Sequence, residues 1–208
     1  MDFSDFPITL VLIAANCIIS FICFSNNQLL NKLIFHPPSI AQNNQWYRFI
    51  SSGFIHKDVP HLLFNMLTLF FFGRILEPGF TSLGLGQGLY IVFYFLALIV
   101  SDIPTYFKEK NNENYYSLGA SGAVSAVVFA LVLFEPWGTI YLKLLIPIPF
   151  ILYAIGYIAY SFYMDKKGGD GIGHAAHLWG ALFGLLFMII AYPQSVDIFM
   201  EQIKHPHF

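Results

Sequence analysis

The chain has 208 residues, of which 57% are hydrophobic and only 11% charged, with a net charge of −2. So few ionisable groups cannot cover a soluble globular surface, and lipid is the solvent this composition suits. The ten Lys and Arg are scattered, which excludes nucleic-acid binding through clustered cations. Cys17 and Cys23 lie six apart in the first apolar run and face different sides of a helix, so they read as small buried hydrophobes rather than a disulfide.

The N-terminal residues Met1-Asp2-Phe3-Ser4-Asp5 are acidic, whereas a secretory signal begins with positive charge. The apolar run that follows is too long for a signal core, so the expectation is a retained transmembrane helix. A spanning helix takes roughly 20 mostly apolar residues. Six runs are candidates, at about 6–24, 61–76, 86–101, 120–134, 144–164 and 172–192, the fifth with Pro147 and Pro149 near its start. The second and fourth are short. A short helix can begin within a bilayer only where protein or a water-filled cavity surrounds its end.

Segment 25–60 carries Pro37-Pro38 and then Trp46-Tyr47-Arg48-Phe49, a mixture that suits the headgroup zone and equally an ordinary extramembrane loop. Segments 108–116 and 165–171 read as water-facing loops. There is no internal repeat, no low-complexity tract and no separate soluble domain, so residues 1–208 are expected to form one domain. Six helices put both termini on one side. That side would carry Arg74, Lys143 and Lys204; the other would carry Lys32, Arg48, Lys57, Lys108, Lys110, Lys166 and Lys167. By charge alone the termini would lie outside.

Polar groups within a membrane usually face an interior or a cavity. His61 and Asn65 open the second run on one helix face, Ser121 starts the fourth, and His174 and His177 lie in the first turns of the sixth. Helices two, four and six enter the bilayer from the same side, so these side chains can meet at similar depth. Ala176, Gly180 and Gly184 recur every four residues on the sixth run and face a small-residue patch around Gly119–Ala126 on the fourth. Small residues permit the close helix approach that a Ser–His hydrogen bond requires.

Each residue also has a plainer reading. A serine in a membrane helix commonly bonds its own backbone, the glycines serve packing, His61 caps a helix, Asn65 joins two helices, and His56 is structural. The shared depth favours chemistry. An aspartyl protease would need two buried carboxylates, and Asp102 alone lies near a span, at its end. The H-E-x-x-H zinc signature is absent. A site of His61, His174 and His177 is the remaining metal alternative. Of the two neighbouring histidines, His177 shares its side with the small-residue ladder and lies deeper, whereas His174 is expected near water.

These residues resemble the rhomboid family. Gly119-Ala120-Ser121-Gly122 is similar to its G-x-S-G motif, Ala176-His177 through Gly180 and Gly184 to its A-H-x-x-G-x-x-x-G motif, and His61-Leu62-Leu63-Phe64-Asn65 to its H-x-x-x-N motif. Trp46-Tyr47-Arg48, Phe54-Ile55-His56 and Gly73-Arg74-Ile75-Leu76-Glu77 resemble flanking stretches, so the likeness covers about 46–184. It implies an all-α membrane protein, a bundle of six transmembrane helices. The expected activity is serine protease cleavage of the transmembrane segments of other proteins within the lipid bilayer, with no cofactor and no metal.

Ser121 is then expected as nucleophile and His177 as general base. His61, Asn65 and the Ser121 backbone N–H would hold the oxyanion, and Phe64, Gly119 and Gly122 would line the substrate cavity. Segment 25–60 becomes a partly inserted loop and the fifth helix a lateral gate. The family topology implies cytoplasmic termini in a bacterial plasma (inner) membrane, against the charge count. In well-known bacterial members an aromatic residue four after the nucleophile packs under the histidine; here that position is Ser125. The alternatives are a rhomboid-like protein that binds membrane clients without cleaving them and a small transporter using the same polar cavity. No oligomeric state follows from the sequence.

Overall fold

The computed structural model describes residues 2–142, 145–168 and 172–206. Among these residues the chain is a bundle of helices with one small hairpin. Helix α1 spans Pro7–Ser25, and three short helices follow it: α2 (Asn27–Leu33), α3 (Pro37–Asn43) and α4 (Arg48–Ser51). The main bundle continues with α5 (Val59–Ser82), α6 (Gly86–Glu109) and α7 (Ser121–Val132). Strands β1 (Thr139–Leu142) and β2 (Ile146–Pro149) pair antiparallel, and α8 (Phe150–Lys167), α9 (His174–Ala191) and α10 (Gln194–Gln202) complete the chain.

Four described helices, α1, α5, α6 and α9, are long and apolar enough to cross a membrane. Together they make the chain an integral, multi-pass membrane protein. Six long elements occupy the six expected places, but α7, with 12 residues, is too short to be one of those four, and α8 is not among them either.

Several boundaries differ from the pattern reading. The second run is a full 24-residue helix that continues through Arg74, Glu77 and Pro78. Glu77 lies just past the expected end of that run at 76, yet it is inside the helix and its carboxylate is fully buried. It accepts the backbone N–H groups of Ile8 (2.9 Å) and Thr9 (2.7 Å), capping the start of α1 where no side chain of that helix does so. The third run likewise continues past Ser101 to Glu109, placing Asp102 inside α6 rather than at its end.

The fifth helix starts at Phe150, because Pro147 and Pro149 lie in β2 and lack the N–H groups a helix interior needs. The expected start at Leu144, the Lys143 of the charge count, and residues 169–171 of the last loop lie outside the described residues. Segment 25–60 is not an ordinary loop. It holds three short helices and a small core of Phe35, Ile40 and Phe49, and the buried Arg48 donates to the carbonyls of Asn31 and Ile34. Cys17 and Cys23 are unpaired with each other.

The centre of the bundle is α7. Every residue from Gly122 to Val132 is buried, so this helix of about 18 Å is enclosed by protein rather than lipid. Its closest neighbour is α9. A Cβ on Gly180 would collide with the backbone of Gly122, and one on Gly184 with the backbone of Ala126. The small-residue ladder therefore does face the fourth run, and it lets two backbones touch.

Candidate active site

Ser121 is the first residue of α7, and the chain leading to it is fastened before the helix begins. Ser117 forms an antiparallel bridge with Phe35, and the Gly119 N–H donates to Ser52 O at 3.0 Å. Gly119 has φ 120°, where a side chain is strained, and an added Cβ would lie 2.8 Å from His61 Cε1. The Ala120 N–H points at Nε2 of the buried His56 at 3.5 Å, and the other ring nitrogen of His56 meets Ser20 Oγ at 2.9 Å. Burial, with the nearby His61 adding to it, pushes the His56 imidazole down to about 3, so it is neutral at ordinary pH. The neutral ring accepts from Ala120 on one side, faces Ser20 on the other, and acts as a structural pin.

Helix α7 has no side-chain cap, so the N–H groups of its first turn face the cavity end without a capping partner. The Ser121 hydroxyl contrasts with other polar groups in the bundle. Asn16, Thr68 and Ser101 each bond a carbonyl of their own helix. Among the described residues Ser121 makes no such bond.

Ser121 opens on a cavity of about 890 Å³ that is also lined by His61, Phe64, Asn65, Gly119, His174 and His177. The structure thus brings onto one cavity His61, Asn65, Ser121 and His177, the constellation read from helix parity; of the cavity residues that the resemblance implies, one departs. Gly122 does not line the cavity; its α-carbon faces α6 and α9, where a Cβ would strike the Ser101 hydroxyl and lie 3.4 Å from the Ala176 carbonyl. Phe64, 63% exposed, stands at the rim.

Asp58 caps α5 by accepting the His61 N–H at 2.8 Å, which sets His61 in the first turn. Asn65 donates one amide proton to the His61 carbonyl at 3.0 Å and keeps a second for another acceptor. No hydrogen bond joins Ser121 to His177 among the described residues. Catalytic hydrogen bonds are often long without substrate and tighten when it binds.

His174 departs from expectation. It is buried, 4% exposed, with α8 against it: its ring meets that of Tyr160 edge-on at 5.5 Å and that of His177 edge-on at 5.8 Å. His177 is half-buried on the cavity wall. Its ring is stacked on Tyr157 of α8, centroids 6.1 Å apart at 23°, and the Tyr157 and Ser125 hydroxyls are 2.7 Å apart. Tyr157 escaped the sequence reading, since one tyrosine among Tyr153, Tyr157, Tyr160 and Tyr163 carries no distinguishing signal. Among the described residues no group of three His, Cys, Asp or Glu side chains is placed to hold a metal ion.

The profile of the Rhomboid domain family matches residues 43–194. The chain belongs to the rhomboid family. Among its relatives, RHOMBOID-like protein 12, mitochondrial, of Arabidopsis thaliana is 27% identical over 191 residues, covering 86% of this chain and 56% of the relative. Rhomboid protease GlpG of Haemophilus influenzae is 28% identical over 76% of each chain. The putative rhomboid protease YdcA of Bacillus subtilis is 29% identical over 71% of this chain and 68% of its own. This rhomboid chain therefore spans little more than half the length of the plant relative. Because relatives come from mitochondria as well as bacteria, the expected assignment to a bacterial inner membrane loses its ground.

Proposed function

We propose that this rhomboid is an active intramembrane serine endopeptidase whose substrates are transmembrane segments of other proteins. The observation that carries the reading is the placement of a serine hydroxyl, without a hydrogen bond among the described residues, at the uncapped start of a short, protein-enclosed helix, on a cavity shared with His177, His61 and Asn65. Ser121 Oγ attacks the scissile carbonyl carbon while its proton passes to His177. The oxyanion accepts from the Ser121 N–H, His61 and the second amide proton of Asn65. Collapse breaks the C–N bond, and the amine leaves with the proton held by His177. Water then repeats the sequence on the acyl-enzyme and regenerates Ser121. Only the Ser121 end of the bundle needs water, which the cavity admits to a recessed helix start. Phe64 and Gly119 border the space the substrate backbone enters.

Purified protein treated with a fluorophosphonate probe tests the reading. Labelling at Ser121, abolished by Ser121→Ala together with cleavage of a transmembrane substrate, is the expected result. Wild-type cleavage retained by Ser121→Ala overturns it. The second reading, a rhomboid-like protein that binds clients without cutting them, draws on the missing Ser121–His177 hydrogen bond; it predicts no labelling. The topology proposed alongside puts both termini on one face of the membrane and the ends of α6 and α8, at Lys108 and Lys166, on the opposite face. Cysteines placed there should react with an impermeant reagent only from that opposite face.

A further inference from the structure

We infer that Tyr157 is a positioning residue for His177, held in place by Ser125, so that α8 sets the alignment of the general base. The inference rests on the protease reading and extends it to a helix that contributes no reacting atom.

The geometry links three helices. Ser125 lies one turn below Ser121 on α7 and therefore on the same side of the helix. The Ser125 and Tyr157 hydroxyls are 2.7 Å apart, hydrogen-bond distance, and Phe129, another turn down, packs on the Tyr157 ring at 5.4 Å. Tyr153, one turn earlier on α8, meets the same ring at 5.5 Å. The Tyr157 ring also lies against His177, nearly parallel to it. Their separation falls within the roughly 4.5–7 Å of favourable ring pairs. The helix that carries the nucleophile thus also fixes the ring that abuts the base.

An imidazole turns about two side-chain bonds, and only a narrow range of orientations aims a ring nitrogen at a serine oxygen. A flat ring against one of its faces removes much of that freedom. Misplacing a catalytic group by about 1 Å can lower a rate about 10²-fold. Helix α8 buries only Phe150, Ala154 and Ser161, so apolar packing alone holds it less firmly than its neighbours. The Ser125–Tyr157 bond is a directional tie on that helix, and movement of α8 away from α7 would withdraw the ring from His177.

The test uses the full-length chain in detergent with a fluorescent single-span peptide that the wild type cleaves. Tyr157→Leu should lower kcat about 10–100-fold with KM within about twofold, the pattern of a misaligned group rather than a lost substrate contact. Tyr157→Phe, which keeps the ring, should recover to within about fivefold of wild type, and Ser125→Ala should match it because both remove one hydrogen bond. The double variant should be no worse than either single one, since the two residues act as a unit.

Independently of cleavage, the imidazole carbon resonances of His177 in a histidine-labelled sample should shift in Tyr157→Leu and much less in Tyr157→Phe. A wild-type kcat in Tyr157→Leu, a change confined to KM, a Phe variant as damaged as the Leu variant, or unmoved His177 resonances each overturns the inference. If the Leu variant fails to fold, the Phe and Ser125→Ala cycle and their resonances decide. Failure of the protease reading is separable, because it would show as a wild type that neither labels at Ser121 nor cleaves, while the resonances still report on the stacking.

Discussion

Helices α7 and α8 wall the same cavity and are built in opposite ways. The first has 12 residues, all buried beyond Ser121, and meets α9 through direct backbone contact at Gly122–Gly180 and Ala126–Gly184. The second has 18 residues and buries three; Leu152, Ile155, Tyr160, Phe162 and Tyr163 lie exposed on it. Close packing permits few arrangements and holds side chains to fractions of an ångström. A helix attached along one side, through an Ser–Tyr bond and the Lys108–Asp165 pair at 3.9 Å, can shift at smaller expense. The exposed ion pair contributes little to holding it. The contrast teaches that Ser121, the proposed nucleophile, sits on the rigid side of the cavity, and that the adjustable side touches His177, the proposed base, through one aromatic ring.

The largest expected effect is on activity. His177→Ala should reduce cleavage to background, whereas His174→Ala should leave a measurable fraction, because only His177 combines a place on the cavity wall with the stacked Tyr157. Steady-state rates on one substrate check this. The reverse ranking would move the general base to His174 and break the assignment of the rigid side.

Next comes the same substitution on both helix surfaces. Gly184→Leu drives a side chain into the Ala126 backbone and should destabilise by about 3 kcal/mol or more, beyond ordinary overpacking because a main chain must move. Gly156→Leu on α8 meets nothing within 4 Å and should change stability by less than about 0.5 kcal/mol. Thermal unfolding in detergent reads both, and equal losses would erase the distinction between the helices.

A smaller effect is expected at Asn65. One oxyanion donor is worth about 2.7–4 kcal/mol in a soluble serine protease, and a second donor from His61 reduces that loss. Asn65→Ala should lower kcat about 10–100-fold and leave KM nearly unchanged. A change in KM alone would make Asn65 a substrate-binding residue.

The last concerns the pin beneath Ala120, read in stability rather than in rate. Burial holds the His56 imidazole down to about 3 in the folded chain, against about 6.5 in the unfolded one. Its contribution to stability is therefore complete above about pH 6.5 and declines as pH falls below it, because the unfolded chain takes up the proton first. The slope approaches about 1.4 kcal/mol per pH unit for this one group. Unfolding midpoints between pH 7.5 and 4.5 should fall more steeply for the wild type than for His56→Gln, and parallel curves would remove His56 from the account.

Much of this molecule is legible in its sequence. Apolar runs separated by charged stretches dictated helices in a membrane, because a chain this poor in charge has no other solvent. The four-residue recurrence of Ala176, Gly180 and Gly184 dictated close helix contact, and the common depth of His61, Asn65, Ser121 and His177 followed from helix parity alone. These features depend on local spacing, and local spacing is what a sequence displays.

Other features were decided by partners far along the chain. Glu77 reads as the end of a helix until the N-terminus of α1, nearly seventy residues earlier, supplies the N–H groups that keep its charge buried. His174 reads as a residue near water until it is buried with α8 against it, and Gly122 reads as a cavity residue until its α-carbon turns toward Ser101 and α9. Ser125 shows only that no aromatic stands four residues after Ser121. That the ring arrives from Tyr157, on another helix and thirty-two residues away, is a fact of packing. Hydrophobic periodicity encodes which face of a helix is apolar, but it carries no record of which neighbour that face will meet, and the support of the base depends on that neighbour.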